Sequence, residues 1–102
     1  MFFAVMAWDR DGMSDVRRQL KQRHVEHLDA AAPDIKILQS GPLLDDQGDE
    51  VGSLIIVEAA NRAVVERFCD ADPYARGGMI AERSIQAWHW RRGNPYRIQD
   101  TF

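Results

Sequence analysis

The chain has 102 residues, of which 45% are hydrophobic and 28% charged, with a formal net charge of -3 at pH 7. That length supplies one core and no second domain, the charge argues against a general binder of nucleic-acid phosphates, and the lone cysteine, Cys69, excludes an intrachain disulfide. The apolar start from Met1 to Trp8 lacks a basic leader and is interrupted by Asp9 well short of the ~20 residues of a membrane span, so the expectation is a cytoplasmic protein with neither nucleic acid nor membrane as partner.

Phe2 to Trp8 is aromatic and aliphatic, bounded by Asp9-Arg10-Asp11-Gly12, and too short for a typical helix, which makes it a strand with two apolar faces. Ser14 is placed as an N-cap with Asp15 in the first turn, and the helix it opens is expected to run until Pro33 stops it. At about 100° per residue, Val16, Leu20, His27 and Ala31 form one stripe of that helix, and His24 falls on its shoulder beside Arg17 and Lys21. A histidine at such a border can be packed into a fixed rotamer and still reach a ligand, which makes His24 a candidate general base. Ile35 to Ser40 alternates and reads as a second strand ending at Gly41-Pro42. The acidic run Asp45 to Glu50 reads as a solvated hairpin tip without the ligand pattern of a calcium loop. Ser53 to Val57 follows as a third strand, apolar on both faces.

Asn61 is expected to cap a second helix, Arg62 to Cys69, with Val64, Val65 and Phe68 on its apolar stripe, and Asp70-Ala71-Asp72-Pro73 breaks it. Arg83 to Trp90 reads as the fourth strand. Residues 1–92 are taken as the domain and 93–102 as a polar C-terminal tail on the surface or across a partner. The order of strand, helix, strand, strand, helix, strand predicts an α+β, ferredoxin-like βαββαβ domain, an antiparallel four-stranded sheet with two helices on one face. This topology puts the first and third strands, apolar on both sides, in the middle of the sheet. Two helices cover one face only. The expectation for the other is a homodimer packed sheet to sheet, because leaving about four large side chains wet at ~1.5 to 3 kcal/mol each would consume most of a small domain's stability.

The chain resembles the YCII-related family of small α+β proteins. The resemblance rests on Lys21 three positions before His24, which is followed by Val25 and Leu28, on Ser40-Gly41-Pro42, and on Asp72-Pro73-Tyr74 with Gly78. It spans most of the chain from Phe2 to Trp90. It implies a dimer of the dimeric α/β-barrel kind, an active site in which His24 pairs with Asp72, and a small enzyme without a cofactor.

In that reading Asp72 accepts the imidazole N–H, fixes the tautomer and stabilises the cation formed when the other nitrogen takes a proton. Asp72 before Pro73 is equally the pattern of an N-cap with proline at the first helical position, and both roles can hold if one carboxylate oxygen serves each. Arg17 and Lys21 stand to hold an anionic or phenolate-like substrate, or else belong to a solvated face. Tyr74 can close a pocket and offer its hydroxyl, or simply pack. Ser40 and Gly41 end a strand near the site, where Gly41 permits close approach of a ligand or shapes a turn. His27 is expected to be a hydrogen-bonded core residue, since its spacing from His24 is only a weak metal signal with no cysteine to complete it. Trp88 and Trp90 project to one side and belong to the interface or the pocket wall. Cys69 is read as an inert, partly buried thiol. The functional expectation is proton abstraction from a small substrate, cyclic or aromatic among the options, leading to elimination such as dehydrohalogenation or to isomerisation. The alternative is a non-catalytic dimeric module that binds a small anion or metabolite.

Overall fold

The computed structural model describes residues 1–95. Its elements are β1 (Phe2–Asp9), α1 (Ser14–Asp29), β2 (Ile35–Leu44), β3 (Glu50–Ala59), α2 (Arg62–Asp70), a single turn α3 (Pro73–Arg76) and β4 (Ile80–Trp88). The strands form one antiparallel sheet in the order β2-β3-β1-β4. This is the ferredoxin-like arrangement, with β1 and β3 in the middle as their two apolar faces require. Among the described residues no helix is long and apolar enough to cross a membrane. The expected tail lies, from residue 96 onward, outside the described residues.

Alternation decides which side chains face the helices. Phe3 and Val5 of β1, Ile55 and Val57 of β3 and Ile85 of β4 join Val64, Val65 and Phe68 of α2 in one buried cluster. The Asn61 side chain caps α2 as expected, accepting from Val64 N at 3.1 Å. The opposite face keeps Trp8, Leu54 and Trp88 between 37% and 39% exposed. Trp90, just past β4, is buried edge-on against Phe2 at 5.6 Å and stacks on Trp88 at 5.3 Å.

Several boundaries differ from the sequence reading. The residue before α1 is Met13, with no side-chain hydrogen bond to the helix, so Ser14 is the first helical residue and not the cap. The helix ends at Asp29, short of Pro33. β2 does not stop at Gly41-Pro42 but runs through both to Leu44, and it lies at the sheet edge, where a proline is tolerated within a strand. β3 is longer at both ends than the apolar run Ser53 to Val57, and β4 begins at Ile80 and ends at Trp88. The β2–β3 hairpin turns where expected: Asp45 Oδ1 accepts from the backbone N–H groups of Gln47 and Asp49, both at 2.9 Å, and Gly48 supplies the positive φ of +87°. At the centre of the sheet Gly52 is obligatory, since a Cβ there would lie 2.5 Å from the Ala7 carbonyl oxygen.

Candidate active site

The inward face of α1 is not the apolar stripe that its sequence suggests. Its buried residues are Arg17 and His24, while Val16, Leu20, His27 and Leu28 are only half-buried. The helix is thus rotated so that His24 lies near the centre of the buried face and not on its shoulder. Such a face is stable only if its polar groups are paired. They are.

His24 is paired from below. Its Nδ1 lies 2.9 Å from both Oδ1 and Oδ2 of Asp72, and both residues are buried. A carboxylate only accepts, so Nδ1 carries a hydrogen, which in the neutral imidazole leaves the lone pair on Nε2. Asp72 is positioned by its own local chemistry: extended backbone, Pro73 at the first helical position, and Oδ1 accepting from Tyr74 N at 2.9 Å. The capping role and the histidine contact therefore coexist in one carboxylate. Tyr74, next in sequence, stacks on the imidazole at 4.0 Å between ring centres and 12° between planes.

Arg17 organises the other half. Its Nη1 donates to Asp9 Oδ1 and Oδ2 at 3.0 and 2.8 Å, its Nε to Glu50 Oε1 at 3.2 Å, and its Nη2 to the Gly52 carbonyl at 2.8 Å and Ser53 Oγ at 3.0 Å. The guanidinium also lies 4.8 Å from the centre of the Tyr74 ring. Every nitrogen of the fork is engaged within the protein, so Arg17 is a buried anchor, where the sequence reading offered a substrate-holding cation or part of a solvated face. Lys21 is exposed and makes only a long contact, 3.5 Å, to Glu50 Oε2. Burial pushes the Glu50 carboxyl upward, but the hydrogen bond from Arg17 and the charge of Lys21 outweigh it and hold the group below its ordinary value. Burial raises the Tyr74 phenol, with Arg17 pulling the other way and the carboxylates of Glu50, Asp72 and Asp9 adding to the rise. Tyr74 is thereby kept as a neutral hydroxyl.

These groups surround a cleft of about 110 Å³. Val25, Leu28, Pro42 and Ile55 supply its apolar wall, and Lys21, His24, Ser40, Ser53 and Tyr74 its polar groups, with Gly41 at the edge. This space is smaller than the ~150 Å³ apolar cavity that admits benzene, so a ring bound here would sit partly in the open mouth of the cleft. The fold brings Arg17, Lys21, His24, Ser40, Gly41 and Tyr74 to this one cleft, with Asp72 directly behind His24.

Three residues escaped the sequence reading. Glu50 is not part of a solvated tip; it opens β3 and bridges Arg17 and Lys21. Asp9 and Ser53 both bind Arg17. Period two gives a signal for these last two, since Asp9 shares parity with Phe3 and Val5, and Ser53 with Ile55 and Val57. Nothing in the sequence marks Glu50. His27, as expected, is hydrogen-bonded at the core edge, with Nε2 2.8 Å from the Phe68 carbonyl oxygen and its ring stacked on Phe68 at 4.2 Å. Cys69 is buried and its thiol is pushed by that burial up to about 11, which makes it inert.

Comparison with known proteins gives three results. No curated protein matches the chain by sequence. Among solved structures, 5-chloro-2-hydroxyhydroquinone dehydrochlorinase from Burkholderia phenoliruptrix AC1100, in complex with 2,5-dihydroxybenzoquinone, superimposes with a TM-score of 0.77 at 29% identity, covering 87% of this chain and 94% of the other. An antibiotic biosynthesis monooxygenase shares the fold, with a TM-score of 0.53 at 15% identity over 87% of this chain and 99% of the other. The YCII-related domain matches residues 1–89, nearly the whole ferredoxin-like unit. The chain belongs to the YCII-related family.

Proposed function

We propose that the protein is an elimination enzyme that needs no cofactor and acts on a small, hydroxylated ring bearing a leaving group such as halide. The observation that carries this reading is the His24 imidazole, tied at Nδ1 by both oxygens of Asp72 in the wall of a small cleft that also presents Lys21, Ser40 and Tyr74. The likeness to a dehydrochlorinase supports the same direction. Nε2 takes a proton from the substrate, the electron pair left behind moves through the ring, and halide departs with its bonding pair, so that one hydrogen halide is lost in total. Asp72 stabilises the imidazolium formed. Such general-base assistance contributes ~10²–10⁴-fold. Isomerisation shares the first step and differs in where the proton returns.

Lys21, exposed and only loosely held by Glu50, is the cation that meets a phenolate or enolate oxygen. Arg17 positions: with its fork engaged it fixes Glu50, Ser53 and the Tyr74 ring. Ser40 and Gly41 form the rim on β2, and Tyr74 closes the cleft behind the imidazole. A second copy of the chain covers the open sheet face, where Trp8, Leu54 and Trp88 stand partly exposed.

Chloride release from 5-chloro-2-hydroxyhydroquinone tests the reading. The wild-type protein is expected to release chloride, and His24→Gln to lose turnover while keeping its affinity for 2,5-dihydroxybenzoquinone. Undiminished release by His24→Gln overturns it. Binding without turnover, with affinity lost in His24→Gln, indicates a binding module instead.

A further inference from the structure

Ser53 holds a hydroxyl whose hydrogen is committed to no described residue. Arginine has no acceptor, so in the 3.0 Å contact Arg17 Nη2 donates and Ser53 Oγ accepts. The Ser53 hydrogen must then point elsewhere. Among the described residues it makes no other hydrogen bond, although the residue is only 7% exposed and lines the cleft beside His24. A sheltered hydroxyl hydrogen without a protein acceptor is unfavourable unless something in the cleft accepts from it, and a substrate oxygen there would do so. Its donor strength is also enhanced, because accepting from a guanidinium draws electron density from Oγ and polarises the O–H bond. The positive charge of Arg17 thus reaches the cleft through a hydroxyl, although its own nitrogens are all engaged.

We propose that Ser53 is a catalytic hydrogen-bond donor that binds the substrate oxygen on which negative charge develops, opposite the proton taken by His24. The substrate class is narrowed accordingly: a ring that carries a carbonyl or phenol oxygen conjugated to the carbon or oxygen losing its proton. Ser53 gives up no proton in this step; it only shortens its hydrogen bond as charge builds on the oxygen. The proposal rests on the reading of His24 as the base, and its test separates the two.

The probe is 2,5-dihydroxybenzoquinone bound to the wild-type protein and to Ser53→Ala and Ser53→Thr, with its carbonyl stretch read by infrared difference spectroscopy. The expected result is a stretch lowered on binding, restored toward the unbound frequency in Ser53→Ala and kept low in Ser53→Thr. In parallel, Ser53→Ala should reduce chloride release from 5-chloro-2-hydroxyhydroquinone by ~10²-fold, as loss of one such donor does. A stretch unchanged between wild type and Ser53→Ala overturns the proposal, even if activity falls, because a purely structural serine predicts that outcome. Failure of the wild-type protein to bind the quinone overturns it as well. If His24→Gln keeps its turnover, the base reading fails, while the carbonyl stretch still decides the role of Ser53.

Discussion

Asp72 presents both carboxylate oxygens to Nδ1 of His24 at 2.9 Å and uses one of them to cap the turn that places Tyr74 against the same imidazole. A single side chain therefore sets the tautomer, the orientation and the local backbone. The two functions can be separated, because asparagine caps a helix about as well as aspartate but cannot stabilise an imidazolium. Asp72→Asn is expected to keep the melting temperature within a few degrees of wild type and to lower turnover by ~10²–10⁴-fold. Thermal denaturation and chloride release on the same preparation check this; equal loss of both would reduce Asp72 to a cap.

Arg17 and Asp9 form a buried ion pair whose side chains are 6% and 8% exposed. Removing one member of such a pair leaves the other charge without compensation, which is strongly unfavourable, at ~3–5 kcal/mol. Arg17→Met is expected to destabilise the domain by that amount, and Arg17→Lys by less, since a point charge cannot satisfy Asp9, Glu50, Gly52 and Ser53 together. Urea unfolding of the two variants measures the difference. A surface cation of the kind suggested by the helical wheel would instead give a change below about 1 kcal/mol.

Glu50 makes stability depend on pH in a defined direction. Its carboxyl is held below the usual 4.5 in the folded protein, so between that lowered value and 4.5 the unfolded chain binds more protons than the native one. Its contribution is present above pH 4.5 and is lost as pH falls through the folded value. Glu50→Gln is expected to show a shallower loss of stability over that window than wild type. Unfolding midpoints at successive pH values from 6 downward check the slope, and parallel profiles would remove Glu50 from the account.

The open sheet face predicts association. Leu54 lies on it midway along β3 and Trp8 near the end of β1, at 37% and 39% exposure. Leu54→Lys is expected to leave the core intact, because Leu54 points away from the helices, and to shift the protein from dimer to monomer. Sedimentation of both proteins across a concentration series decides it. A wild-type protein that is monomeric throughout would require another cover for this face.

The sequence determined the fold because the strands and α2 carry simple local signals: short apolar runs in Phe2 to Trp8 and Ser53 to Val57, alternation in Ile35 to Ser40, and a three-to-four spacing of Val64, Val65 and Phe68 behind an Asn61 cap. The middle positions of β1 and β3 followed from their two apolar faces, and His24 and Asp72 were visible as residue types. What only the tertiary structure decided was the rotation of α1. A helical wheel weighs hydrophobicity, and it turned Val16, Leu20 and His27 inward at the expense of Arg17 and His24. The fold reverses that choice because Asp9 on the preceding strand, together with Glu50 and Asp72 from far along the chain, pairs the buried polar groups and removes the penalty of burying them. Pairing between distant charges has no period, so no pattern along the chain reveals it.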